Sequence, residues 1–589
     1  MSEDETPIAA PLRIDGLAVR YPGKKAPSLE GVTLEVGRGE RLGVAGRTGA
    51  GKSTLALAAA GFIPRVVRAR LDGRVVIDGV ETATAAADAL LGRVGIVFAT
   101  PANQLSASKL TVREELAFGL ENLGIPRSEM DPRIDGTLER LGIAHLADRE
   151  PFALSGGEQQ RVAIASIVAM GTTVLVLDEP TAQLDPAGTA AVADLLGELA
   201  DAGAAILCAE HDPSVLGRMD RCLVLDGGRV IALDAPGAAL SLAAEVASLT
   251  PPTFVRLAEA ASLDLARAFD ERAVAAGLRA WAEAGGAARD HAAAATASTA
   301  ALDPGAPPLP GPSWTPARER APVRVAVDGV VHRYPGGVEA VRGVSLAIEP
   351  GEAVAILGQN GSGKTTLVKH FNGLLRPDEG RVLLDGVPTD GRSVADLART
   401  VGFVFQNPDD QLFERSVERE VAFGPRNLGI ATADLANLVA GSLAAVGLLE
   451  ERTTNPYDLD LSRRKLVAMA GILAMDPAVL VLDEPTTGQD VDGVERVGAI
   501  VEAFRAAGRS VVTITHDMEF AARHSTRIVV MRAGEVVADG PPELVFAPAN
   551  DALLASTGLT PPPAARIAAR LGLGTVALDV EGLLAALRR

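Results

Sequence analysis

The chain has 589 residues, too many for one hydrophobic core, and at roughly 100–200 residues per domain it should divide into about three to five units. Its 48% hydrophobic and 22% charged residues make a globular composition rather than a disordered one. A net charge of −19 argues against a face for nucleic-acid phosphates, and 3% aromatic content argues against a base-stacking platform.

Residues Ser2-Glu3-Asp4-Glu5-Thr6 have neither the basic nor the apolar region of a signal peptide, so none is expected. Mean hydropathy is positive at +0.21, yet apolar stretches such as Val162–Leu177 fall short of the ~20 residues a spanning helix needs. The expectation is a soluble or peripheral chain. Cys208 and Cys222 are too few for a disulfide framework or a metal cage and read as buried small hydrophobes in a reducing compartment.

In chain order, Arg20-Tyr21-Pro22-Gly23 comes first, then an apolar run ending in Val44 and a G-x-x-x-x-G-K-S loop with Gly46, Gly49, Gly51, Lys52, Ser53 and Thr54. A strand, a glycine-rich loop and a helix in succession wrap backbone N–H groups around phosphates. Lys52 then contacts the phosphates and Ser53 ligates Mg²⁺. Next, Leu154-Ser155-Gly156-Gly157-Glu158 precedes the β-branched run Val174–Leu177, which ends in Asp178-Glu179. Asp178 is placed to hold Mg²⁺ through water, and Glu179 to polarise an attacking water. His211 follows another hydrophobic strand, Ala205–Ala209, and is read as a γ-phosphate contact.

Beyond an Ala/Pro/Gly-rich stretch the pattern repeats. Arg333-Tyr334-Pro335-Gly336 comes first, followed by Gly358, Gly361, Gly363, Lys364, Thr365 and Thr366, then Gln406, Asp483-Glu484 and His516. Leu249-Thr250-Pro251-Pro252 recurs as Leu559-Thr560-Pro561-Pro562, so each half carries its own small tail. Strand-like runs alternating with Ala/Leu-rich helical stretches indicate an α/β fold with a largely parallel sheet. The expected division is 1–235 and 322–545 for two nucleotide-binding domains, 236–284 and 546–589 for their helical tails, and 285–321 for a linker partly extended by its prolines.

Leu154-Ser155-Gly156-Gly157-Glu158-Gln159-Gln160-Arg161 resembles the signature motif of ABC-type ATPases. With the P-loops, the Asp-Glu strands and the histidines, the resemblance covers most of the chain. It implies two tandem P-loop nucleotide-binding domains, each with a helical subdomain, hydrolysing ATP with Mg²⁺. It also implies that Tyr21 and Tyr334 stack on adenine, and that Ser155, Gly156, Gly157 and Glu158 face ATP on the opposite half in a head-to-tail pair. Gln406 is implied to act at the metal and the water.

A finer resemblance lies in Phe405-Gln406-Asn407-Pro408-Asp409-Asp410-Gln411-Leu412-Phe413 and Val417-x-x-Glu420-Val421-Ala422-Phe423-Gly424, echoed by Asn103-Gln104-Leu105 and Leu116-Ala117-Phe118-Gly119. These segments are similar to the Q-loop and following helix of energy-coupling factor (ECF) transporter ATPases. The likeness implies an integral-membrane coupling subunit and a substrate-binding membrane subunit as partners, the cytoplasmic face of the membrane as location, and a vitamin or transition-metal ion as cargo. A peptide or sugar importer, or a soluble ABC translation factor, remains an alternative.

The two halves are unequal. Counting back 23 residues from each strand-end aspartate sets Ser155-Gly156-Gly157-Glu158 against Asp460-Leu461-Ser462-Arg463, while a two-residue shift would set Leu461-Ser462 against Leu154-Ser155. Neither register keeps both glycines. The counterpart of Gln406 is Ala99, which cannot coordinate metal or water. Near an anion, a carboxylate at ~4 Å and an effective dielectric of ~20 repels it by about 4 kcal/mol. The expectation is that the site built on Lys52 binds ATP with little turnover, and that the site with Lys364, Gln406, Glu484 and His516 drives hydrolysis.

Overall fold

The computed structural model describes residues 10–24, 26–247, 249–284 and 324–588. The linker expected at 285–321, and Trp314 within it, lie outside the described residues. The chain forms two compact units divided between Val274 and Ala275.

In the first unit, strands β1 (Leu12–Arg20), β2 (Leu29–Val36), β4 (Arg70–Ile77) and β5 (Val80–Glu81) make an antiparallel sheet in the order β2-β1-β4-β5. The alternation of Leu12, Ile14, Leu17 and Val19 puts one face of β1 into the core. A second sheet holds β3 (Arg41–Gly46), β6 (Val94–Val97), β7 (Val174–Asp178), β8 (Ala205–Ala209), β9 (Arg221–Asp226) and β10 (Arg229–Asp234), in the order β10-β9-β3-β8-β7-β6. All its pairings are parallel except β9–β10. Every residue of β7 and β8 is buried, so these strands read as continuous apolar runs rather than alternating ones. The order places the ends of β3, β7 and β8 side by side, which is where the phosphate loop, the acid pair and the histidine emerge.

Between β6 and β7 the chain builds a helical subdomain from Val112–Asn122, Arg127–Arg140 and Gly156–Met170. Thr111 and Glu114 cap the first of these reciprocally. Leu116, Leu120, Ile134, Leu138, Val162 and Ala165 share one core with the back of the sheet. The tail helix Pro236–Ala247 rests its Ala239 and Ala243 on Ala45 of the P-loop strand and on Cys222 and Val224. Both cysteines are fully buried and unpaired, and burial pushes the Cys222 thiol up to about 12.

The second unit repeats the plan. Strands β11 (Val325–Arg333), β12 (Glu339–Ile348), β14 (Glu379–Leu384) and β15 (Val387–Pro388) form the antiparallel sheet. Strands β13 (Ala353–Leu357), β16 (Val401–Val404), β17 (Val479–Asp483), β18 (Ser510–Ile514), β19 (Arg527–Arg532) and β20 (Glu535–Gly540) form the larger one, in the order β16-β17-β18-β13-β19-β20. Its tail packs Phe546, Leu554 and Leu559 against Ala355 and Leu357 of the P-loop strand.

One difference between the units tests the packing. The helix Gly156–Met170 ends on Gly171 at φ 68°, whereas its counterpart reaches the left-handed region at Asp476, φ 57°, a conformation that disfavours a side chain. Asp476 is buried and bonded to buried Arg509 at 2.5 Å, and Arg509 also donates to the Pro477 carbonyl at 2.9 Å. Replacing Arg509 with Ala leaves a buried carboxylate without its cation and should destabilise the second unit by about 3–5 kcal/mol in denaturant unfolding. Adding Asp476→Gly, which recreates the Gly171/Ala204 arrangement of the first unit, should recover most of that loss.

Candidate functional site

Each phosphate loop leaves the end of a buried strand and turns directly into a helix, Lys52–Ala59 or Lys364–Val368. The first glycine is dictated by space. A Cβ on Gly46 would sit 2.2 Å from the Leu225 carbonyl, and one on Gly358 would sit 2.3 Å from that of Met531, with φ at 143° and 150°. Gly49, Gly51, Gly361 and Gly363 also have positive φ, which opens a concave run of backbone amides. Lys52 Nζ donates to the carbonyls of Gly46 and Arg47 at 2.9 and 3.1 Å, and Lys364 Nζ to those of Gly358 and Gln359 at 2.7 and 2.9 Å. Tyr21 and Tyr334 are tied to the loop helices by their hydroxyls, at 3.3 Å from Thr54 Oγ1 and 3.2 Å from Thr366 Oγ1.

The hydroxyl and the strand-end aspartate expected at the metal meet in both halves. Ser53 Oγ donates to Asp178 Oδ1 at 3.1 Å, and Thr365 Oγ1 to Asp483 Oδ2 at 3.0 Å. Burial pushes both aspartates up to about 6, helped by the neighbouring Glu179 or Glu484 and opposed by the hydroxyl and the P-loop lysine. A hard oxygen pair beside a buried carboxylate without full charge compensation fits Mg²⁺, and the amide-lined loop with its lysine fits nucleotide phosphates. Gln406 is exposed, two residues beyond the end of β16.

Glu179 and Glu484 take φ values of 49° and 51°, left-handed backbone for side chains that ordinarily avoid it. Their amides are held by Ala209 O and Ile514 O, each at 2.9 Å, so the end of the neighbouring strand fixes the turn. That turn aims each carboxylate at its histidine, with His211 Nε2 2.8 Å from Glu179 and His516 Nε2 2.9 Å from Glu484. The Glu484 side chain is 4% exposed and that of Glu179 is 19%. Burial works to raise the Glu484 carboxyl, but the charge and hydrogen bond of His516, with Lys364 and Lys465, hold it below the usual range. Its ionised form is the one a water-polarising base requires.

The helix caps decide the signature register. Ser155 caps Gly156–Met170, with its backbone N–H and hydroxyl bonded to Glu158 at 2.9 and 2.8 Å, and Asp460 caps Leu461–Ala474 by accepting the Arg463 amide at 2.9 Å. Both caps lie 23 residues before their strand-end aspartates, so Gly156 and Gly157 stand against Leu461 and Ser462. Burial tends to raise Glu158, but the bonds from Ser155 and the charges of Arg149 and Arg161 hold it low. The two loops ahead of these helices also align. Gln104 accepts the Phe98 amide and donates to the Ala163 carbonyl, as Gln411 does for Phe405 and Ala468, which sets Ala99 against Gln406.

Around the degraded signature the packing is rearranged. A Cβ on Gly156 would lie 2.4 Å from Gln183 Oε1, so that glycine makes room for the glutamine; the second half has Leu461 and Gly488 at the two positions, and a Cβ on Gly488 would meet nothing within 4 Å. Ser462 donates to Gln489 Oε1 at 2.7 Å and accepts its amide on the backbone at 3.0 Å. Arg463 and Arg464 pair with Glu451 and Asp409 of their own half.

Two buried charged residues beside the expected site residues escaped the motif reading. Lys465 is buried, and burial pushes its ammonium down to about 8 against the pull of Glu484 and Asp483. Glu210, just before His211, is 3% exposed, accepts Thr181 Oγ1 and the His211 amide, both at 2.8 Å, and is pushed up to about 7 by burial and by Asp212. Its counterpart Thr515 carries no charge. Comparing the halves at the offset of 305 between His211 and His516 exposes both, since 210 falls on 515 and 160 on 465.

The family profile described as ABC transporter matches residues 29–182 and 341–487. A putative ABC transporter ATP-binding protein of Methanosarcina acetivorans is 37% identical over 99% of this chain and 93% of its own length, and one of Methanosarcina mazei is 36% identical over 97% and 95%. The chain belongs to the ABC transporter family: it is a tandem ABC ATPase that uses ATP with Mg²⁺. Among solved structures, cbiO1 of Clostridium perfringens, described as part of the ABC transporter complex cbiONQ, is 35% identical over 40% of this chain and 94% of its own, with a TM-score of 0.36.

Glu210 gives a pH test. Its native pKa lies above the carboxylate value of an unfolded chain, so the native state binds the extra proton between about pH 4.5 and 7 and loses stability as pH rises through that window. Glu210→Gln should therefore melt progressively higher than the parent chain across that range and hold a constant advantage above it, measured without nucleotide.

Proposed function

We propose that the chain is the fused ATPase subunit of an ECF-type importer, working at the cytoplasmic face of the membrane with an integral-membrane coupling subunit and a substrate-binding membrane subunit. Its family already makes it an ATPase of the transporter kind, and among the described residues no helix is long and apolar enough to cross a membrane, so membrane contact falls to partners. The observation that carries the finer reading is an exposed aromatic pair in the segment resembling the ECF coupling contact. Phe413 and Phe423 are 56% and 41% exposed and pack edge-to-face at 4.6 Å. Surface aromatics so grouped are characteristic of protein contacts rather than of free surface. The first half keeps Phe118 under Lys109.

The halves act as a head-to-tail pair. One nucleotide lies between Lys52, Ser53 and the degraded signature, the other between Lys364, Thr365, Glu484, His516 and the intact Ser155-Gly156-Gly157. The first lacks a Q-loop glutamine at Ala99 and meets Asp460, Leu461 and Ser462 in place of a serine and two glycines. Phosphoryl transfer rests on positioning and charge stabilisation, so these losses reduce turnover more than binding. Closure on ATP and reopening after hydrolysis drive the membrane subunits, and the cargo class is a vitamin or transition-metal ion.

Gentle solubilisation of native membranes and purification on a tagged chain should recover small polytopic membrane proteins, and Phe413→Ala with Phe423→Ala should lower that recovery. Ribosomal particles instead would move the function to translation. In the assembled complex, Glu484→Gln should abolish most ATPase activity while Glu179→Gln leaves much of it; equal losses would make the sites equivalent.

A further inference from the structure

The helix that opens on the degraded signature is bonded into the catalytic strand of its own half. Lys465 Nζ donates to the backbone carbonyl of Glu484 at 3.1 Å and to that of Thr487 at 2.9 Å, and the residue is 5% exposed. Glu484 sits just past the end of β17 in left-handed backbone, with its amide held by Ile514 O at 2.9 Å. With both its N–H and its C=O engaged, the peptides flanking its Cα cannot turn, and the direction of its side chain toward His516 is set. The Ser462–Gln489 pair, bonded in both directions, keeps the same helix from sliding along the turn after Glu484. In the first half the equivalent of Lys465 is Gln160, whose amide reaches the Phe98 carbonyl at 3.4 Å instead.

We infer that Lys465 is a positioning residue for Glu484, holding the hydrolytic carboxylate in place through its backbone, and that the second-half signature helix serves the Asp483-Glu484 turn of its own half where the first-half helix serves ATP. The inference rests on the reading that Glu484 carries most of the turnover. Displacing a catalytic group by a fraction of an ångström costs rate far more than affinity, because the ground state does not depend on that group's direction.

The test is steady-state ATPase kinetics of the full chain in its membrane complex. Lys465→Met should lower kcat by about tenfold or more while KM for ATP stays within about twofold, and Lys465→Gln, which returns one amide donor, should fall between. In a Glu484→Gln background, Lys465→Met should change the residual rate little. Should Lys465→Met fail to fold, Lys465→Gln carries the same comparison. A parent-like kcat in either soluble variant, or kcat and KM worsening together with a lowered melting temperature, would overturn the inference. Full turnover by Glu484→Gln alone would remove the site reading beneath it.

Discussion

Two adjacent carboxylates at the end of a fully buried strand are the constraint on which both halves are built. Burial works to raise Asp178, Asp483 and Glu484, and it is opposed by the P-loop hydroxyl and lysine at each aspartate and by His516, Lys364 and Lys465 at Glu484. The left-handed turn at each glutamate separates the pair, sending the aspartate toward the P-loop hydroxyl and the glutamate toward the histidine. The parallel sheet order matters because it brings three strand ends to one edge. The P-loop glycines matter because the backbone must pass within contact of the next strand.

The halves resolve the same constraint differently. The second half surrounds Glu484 with cations, Lys364 and Lys465, and nearly excludes water from it. The first half adds a third acid, Glu210, behind the histidine and leaves Glu179 more exposed. An added buried carboxyl works against the charge of a nucleotide triphosphate, and added lysines work with it. This difference lies in residues outside the motifs, Glu210 against Thr515 and Gln160 against Lys465.

What could be read from the chain was what is local. The P-loops, the strand-end acids and the histidines are short runs whose geometry follows from the strand–loop–helix succession, and the repeat made chance matches untenable. The register of the degraded signature could be posed but not decided, because Asp460 and Ser462 are both acceptable helix caps on paper. Only the bond from Arg463 to Asp460 selects one. Glu210 and Lys465 were invisible to motif reading because their setting comes from burial and from distant partners, the Thr181 hydroxyl for Glu210 and carbonyls 19 and 22 residues away in sequence for Lys465. The pairing of each glutamate with its histidine depends on two strands lying side by side, which no spacing encodes.

The glycine that opens the intact signature helix answers to the turn beside it. Gly156 leaves the space that Gln183 Oε1 occupies, 2.4 Å from where a Cβ would stand, whereas a Cβ on Gly488, the counterpart of Gln183, would meet nothing within 4 Å. A side chain at 156 would therefore have to displace Gln183, a conflict that Leu461 does not meet with Gly488 in the turn. A glutamine in the turn thus calls for a glycine at the helix start, and a glycine in the turn lifts that demand.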